Sequence, residues 1–173
     1  MRQFNALALV ALVVGTLAGC GQSATTSTAT KAPSATPAWL LDSQPDGALS
    51  VSDAKERAVE GDTIVVRGRI GGRKTPISPD SPVFVIVDLS LPHCGEDPDD
   101  TCPTPWDYCC EPKTDLAARS ATVQIVGAKG NSVAPITDAL RPLDEVIVVG
   151  TVGARPNDGV LTIRATGVYR VGG

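Results

Sequence analysis

The chain has 173 residues, with 19 acidic against 15 basic side chains and a formal net charge of −4. That balance lacks the basic footprint that phosphate backbones require, and two Trp, two Tyr and two Phe make a poor base-stacking platform, so no nucleic-acid partner is expected. A single His, with no G-x-S-x-G, no H-E-x-x-H and no Gly-rich phosphate loop, argues against an enzyme.

Met1 to Asn5 carries one positive charge, and the apolar run Ala6 to Val14 follows, ending in Leu17-Ala18-Gly19-Cys20. The run is too short to span a membrane and has the layout of a secretory signal. Small residues before the cut fit a narrow peptidase groove, and the thiol after it accepts lipid. The pattern resembles the lipobox of bacterial lipoproteins. This implies a signal peptide over residues 1–19 and a lipidated Cys20 that anchors the protein to the cell membrane or outer membrane, with its domain facing the periplasm or cell exterior. Gly21, in place of Asp, resembles outer-membrane sorting. Loss of residues 1–19 removes Arg2 and no acid, so the mature chain is more negative still.

Residues 20–49 read as a tether, because the stretch from Gly21 to Pro37 is almost wholly Ser, Thr, Ala and Pro and cannot bury enough apolar surface to order itself. Residues 50–173 form the domain. Ser50 to Ala58 reads as a short helix with Ser at the cap and Asp53 and Glu56 near its start. Thr63 to Ile70 alternates, with Ile64, Val66, Gly68 and Ile70 on one face. Val83 to Leu89 is continuous apolar sequence, as in a strand buried on both faces. Ala121 to Val126 alternates again. Lys129-Gly130-Asn131 is a turn, and Ser132 to Leu140 suggests a short helix weakened by Pro135. Glu145 to Val152 and Val160 to Val171 are two more strands, with a hairpin signal at Asn157-Asp158-Gly159. Three strands, a short helix and a two-strand hairpin are the connectivity of an OB-fold, so the expected fold is mainly β: a small five-stranded Greek-key barrel. Gly68, Gly71, Gly72 and Gly150 suit its tight curvature.

Between the second and third of these strands lies a long insertion, Ser90 to Arg119, holding Cys94, Cys102, Cys109, Cys110 and the sole His, His93. Loops of this length are usually functional or disordered. Two chemistries fit. In an oxidising compartment two disulfides are the default, and adjacent Cα atoms are too close for a relaxed Cys109–Cys110 bond, so Cys94 and Cys102 would each pair with one of those two. The alternative is a zinc or copper site drawing on His93, Cys94, Cys102, Cys109 and Cys110, although no C-x₂-C knuckle is present. Redox catalysis would want C-x-x-C. The acidic run Glu96-Asp97-Pro98-Asp99-Asp100 lacks the ligand spacing of a calcium loop and reads as solvated. Trp106 and Tyr108 either pack as a mini-core or form a recognition patch. Asp88 and Glu111 have the chemistry of paired carboxylates, but nothing in the sequence places them together.

Asp88-Leu89-Ser90-Leu91 followed by the string Cys102 to Glu111 (CPTPWDYCCE) resembles a signature of uncharacterised exported lipoproteins from planctomycete-type bacteria. The likeness extends to the Gly68-Arg69-Ile70-Gly71-Gly72 strand end and covers most of residues 50–171. It implies an OB-like fold and export, and no reaction. The expectation is a membrane-anchored, non-enzymatic binding or structural module of the cell envelope, without a cofactor. Its binding surface would be Trp106, Tyr108, Arg67, Arg69 and Arg164, facing an envelope protein or an acidic glycan. The alternative is a zinc- or copper-binding lipoprotein.

Overall fold

Alternation in sequence becomes alternation in burial along Thr63–Ile70 and Ser120–Ile125 in the computed structural model, which describes residues 36–127, 133 and 136–172. The described elements run β1 (Leu49–Ser50), α1 (Val51–Arg57), β2 (Thr63–Ile70), β3 (Val83–Val87), α2 (Lys113–Ala118), β4 (Ser120–Ile125), β5 (Glu145–Val152) and β6 (Thr162–Arg170). On β2, Ile64, Val66, Gly68 and Ile70 point inward and Thr63 and Arg67 outward. Four of the five residues of β3 are buried, the mark of a strand covered on both faces.

The pairing closes a barrel. Strand β2 runs antiparallel to β3, β3 to β4, β5 to β6 and β2 to β5, while β4 and β6 pair in parallel. This five-stranded order is that of an OB-like Greek-key barrel. Closure rests on the long β2–β5 register, from Thr63↔Thr151 to Arg69↔Glu145. A β-bulge between Val149 and Gly150 bends β5 across β6. Gly150 has to be glycine there, because a Cβ would stand 2.8 Å from the Ala165 Cα. The interior is filled by Val66, Ile70, Phe84, Ile86, Val123, Ile125, Val146, Val148 and Ile163.

Helix α1 plugs the barrel with Val51 and Ala54, both fully buried. The Ser50 Oγ caps it by accepting from the Asp53 N–H at 3.0 Å. A second cap comes from outside the helix: the buried Asp88, just past β3, accepts from the Ser52 N–H at 2.8 Å. Its other oxygen accepts from the Ser90 N–H at 3.0 Å, and these bonds outweigh the cost of burial and hold the carboxyl below its ordinary pKa.

Three expectations change. Residues 36–49, assigned to the tether by composition, lie along the barrel. Trp39 is buried in the main core, the Leu41 N–H donates to Val168 O at 2.8 Å, and Leu49–Ser50 pairs in parallel with Val66–Arg67. The apolar triplet Trp39-Leu40-Leu41 supplies the driving force that the Ser/Pro composition around it conceals. Residues 1–35, which include the expected signal peptide and the expected lipidation site Cys20, lie outside the described residues. The hairpin between β5 and β6 is wider than a two-residue turn, with strand pairing resuming only at Ile163. Finally, the Ser90–Arg119 insertion has structure of its own: α2 and two 3₁₀ turns, Cys94–Glu96 and Pro105–Asp107. Of the Ser132–Leu140 helix, Ile136 and Leu140 are buried around a turn at 137–139, and most of its first half, like the Lys129–Asn131 turn, lies outside the described residues. Among the described residues no helix is long and apolar enough to cross a membrane.

Candidate metal centre

The insertion is pinned where the Gly71-Gly72 pair leaves β2. The Gly72 N–H donates to Trp106 O at 2.8 Å, and a Cβ on Gly71 would lie 2.7 Å from both that oxygen and the Tyr108 ring. Only glycine lets the loop backbone come so close. Tyr108 adopts φ 57° and turns its ring into a small second core with Val87, Leu91 and Leu116. The G-x-I-G-G strand end and the P-W-D-Y string are thus two halves of one contact.

Folding the loop onto this contact gathers the thiols. The Cys94 and Cys109 Sγ atoms are 3.4 Å apart, those of Cys102 and Cys109 3.7 Å, and those of Cys109 and Cys110 4.0 Å. The four cysteines of the loop are free. Cys94 is buried, Cys102 half-buried, and Cys109 and Cys110 exposed. One ligand set is Cys94, Cys102, Cys109 and Asp107, whose donor atoms all lie within 4.8 Å of one another. A second set is Cys94, Asp100 and Cys110. Two thiolates on a tetrahedral zinc, each about 2.3 Å from the ion, stand about 3.8 Å apart, and the observed separations bracket that edge. The adjacent cysteines fall into different sets, which removes the objection that neighbours chelate one ion poorly.

Asp107 is fixed for such a role. One oxygen accepts from Thr104 Oγ1 at 2.8 Å and the other from the Cys109 N–H at 3.0 Å. Desolvation works against its charge, but these bonds outweigh it and lower its pKa. Burial likewise opposes ionisation of Cys94, and hydrogen bonds from the Cys110 and Cys109 backbone and thiols overcome it, leaving Cys94 below the ordinary thiol range. Cys109 shifts upward, chiefly through its side-chain contacts with Cys94 and Cys102, and Cys110 upward chiefly through Cys94. One thiolate forms first, with thiols donating to it.

His93 does not join the thiols. Its Nδ1 accepts from the Gly95 N–H at 3.1 Å, capping the first 3₁₀ turn, and its ring lies edge-on to Tyr108. Burial, then the Arg69 guanidinium, lower its pKa against the opposing pull of Glu96, so the neutral ring is the capping form. Among the described residues the metal-ligand groups leave it out and include Asp107, to which the sequence reading gave no ligand role, and Asp100, which it read as part of a solvated acidic run. The visible signal for Asp107 was its place three residues after Thr104 and two before Cys109. The acidic run makes no calcium bowl: Asp97 accepts from the Asp99 N–H and Asp100 from the Cys102 N–H.

The proposed recognition patch is largely dismantled. Tyr108 is buried, and Trp106 is half-buried with its Nε1 donating to Lys74 O at 3.0 Å. Arg67 pairs with Glu145, and Arg69 with Glu96 at 2.9 Å. Arg164 remains exposed on β6, in a shallow pocket with Arg164, Thr166 and Thr151 in its lining. Arg67 and Arg69 are tied to acids and Arg164 is solvated; of the three, only Arg69 lies beside an aromatic of the set, the buried Tyr108.

A second cluster sits between α1, α2 and the β5–β6 loop. Lys55, buried, donates from Nζ to Ala117 O at 2.5 Å and Gly159 O at 2.8 Å. Arg155 donates to the carbonyls of Lys55, Ala58, Asp158 and Val160. These cations satisfy loop carbonyls, and they explain why the Asn157–Gly159 turn sits on a wide loop. Burial, then Arg155, lower the Lys55 pKa.

No family model matches the chain, and no curated protein matches it. Among solved structures it is similar to the hypothetical protein ygiW from E. coli, at 19% sequence identity and a TM-score of 0.38, covering 73% of this chain and 94% of that one.

Proposed function

We propose that this protein is a lipid-anchored binding module of the bacterial envelope whose cysteine loop holds a thiophilic metal ion, zinc in the first place. The barrel is a rigid frame and carries no catalysis of its own. One observation carries the reading: three sulfurs and an ionised carboxylate, drawn from Cys94, Cys102, Cys109 and Asp107, converge at separations that suit a tetrahedral ion. The soft donors favour zinc or Cu(I) over calcium or magnesium, and the carboxylate favours zinc over Cu(I). Export puts the protein at the membrane surface through Cys20, the loop being its ligand-bearing part.

Cobalt titration of the reduced full-length chain tests this. One equivalent should produce the sulfur-to-cobalt charge-transfer band, and zinc should bleach it. Replacing Cys102 with Ser should weaken binding strongly. A flat spectrum would end the proposal.

The same thiol approach also favours a second reading. Two disulfides, one each from Cys94 and Cys102 to the adjacent pair, fit an oxidising compartment; the 3.4 and 3.7 Å contacts both fall on Cys109, so only one of them can become a bond, and Cys110, within 4.8 Å of Cys94, takes the other partner. The loop would then be a stapled structural element. Thiol counting on protein isolated without reductant separates the two, because the metal reading requires thiols that bound metal protects.

A further inference from the structure

The two ligand sets share one residue. Cys94 belongs both to the set with Cys102, Cys109 and Asp107 and to the set with Asp100 and Cys110. Cys94 is the buried member, while Cys109 and Cys110 are the exposed ones, on adjacent residues with sulfurs 4.0 Å apart. A storage site would close all its ligands away from solvent. This one turns two sulfurs outward and keeps one as a hinge.

We infer that Cys110 with Asp100 forms an exit position for the metal, so that the module delivers its ion to an acceptor instead of storing it. The inference rests on the metal reading above. Transfer begins when the Cys110 sulfur binds the ion as the Cys109 sulfur leaves. Asp100 then replaces Asp107 and a water replaces Cys102, which leaves as a thiolate; three bonds to the ion form and three break, the proton from Cys110 passes to Cys109, and the metal keeps its oxidation state. The ion stays bound to Cys94 throughout and ends beside Asp100 and Cys110, on the exposed side. An acceptor offering thiolates or imidazoles then takes it by the same exchange. Asp100 is already oriented by the Cys102 N–H, which its Oδ1 accepts at 2.8 Å, so the exit position is tethered to the first set.

The test is stopped-flow transfer of zinc from the loaded, reduced full-length chain to a chromophoric pyridylazo chelator. The variants are Cys110→Ser and, as the comparison, Cys102→Ser. The expected result for Cys110→Ser is one zinc still bound through Cys94, Cys102, Cys109 and Asp107, with a smaller loss of affinity than in Cys102→Ser and transfer slowed about tenfold or more because the entering ligand is gone. Asp100→Asn should slow transfer less. Cys110 is exposed, so its replacement leaves the core intact, and an unchanged melting curve confirms that. Wild-type transfer rates in Cys110→Ser would overturn the exit position. A loss of affinity as large as that of Cys102→Ser would also overturn it, by making Cys110 a resident ligand. If the wild-type chain binds no zinc, the metal reading fails first and the exit position falls with it.

Discussion

The barrel hides Val66, Ile70, Phe84, Ile86, Val123 and Ile163 at zero exposure in one continuous core, whereas the insertion from Ser90 to Arg119 buries only Leu91, Cys94 and Tyr108. The barrel is held by apolar area and by a ladder that closes on itself. The loop is held by short polar contacts: Asx-type caps at Asp97, Asp100 and Asp107, an imidazole cap at His93, and the Gly71–Gly72 seam. A region with so little buried area owes little of its order to the hydrophobic effect. Its thiols therefore gain the most from a metal or a covalent staple.

If the two regions are separable in this way, mutations should separate them too. The largest effect belongs to the barrel. Phe84→Ala should cost about 3–5 kcal/mol of unfolding free energy in a denaturant titration, since it opens a cavity in a sealed core. At low denaturant the folded fraction should still bind one zinc. Gly71→Ala works at the seam. Its new Cβ meets the Trp106 carbonyl and the Tyr108 ring at 2.7 Å, so it should cost about 1–3 kcal/mol and weaken zinc binding as the loop lifts. Equal damage to metal binding by both variants would show that the regions are not separable.

Asp88 gives a pH-dependent version of the comparison. Its folded pKa is depressed, so its stabilisation is present above the unfolded value of 3.8 and is lost as pH falls through the lower folded value. Asp88→Asn should flatten the acid limb of the stability curve and loosen α1, with the β-sheet circular dichroism kept. The smallest effect is expected at Tyr108. Its hydroxyl is buried with no partner at good hydrogen-bond geometry, the Arg69 guanidinium being its nearest charged neighbour, so Tyr108→Phe should change stability by no more than about 1 kcal/mol. A clear loss in its melting temperature would mean that the hydroxyl has a bound partner in solution.

The barrel was readable in the sequence because its signals are periodic. Alternation placed β2 to the residue, the apolar stretch Glu145 to Val152 matches β5, and a Ser cap marked the start of α1. The loop was not readable in that way. Helix α2 has six residues and no side-chain cap, too short for a 3.6-residue pattern to declare itself. Trp39 failed for the opposite reason, as a strong anchor set in a sequence of tether composition. The cysteines were visible as a set, but their grouping was not. It depends on the turn at Tyr108, the cap at His93 and the bond from Thr104 to Asp107, and spacing encodes none of these. His93 consequently looked like a ligand and Asp107 like a loop residue.

The most direct test of the account is native mass spectrometry of the full-length chain, reduced anaerobically, exposed to zinc and then freed of excess metal. The account predicts one retained zinc per chain, lost in Cys94→Ser, the residue both ligand sets share, and kept in His93→Ala. A chain that retains no zinc under those conditions and re-forms two disulfides in air would contradict it.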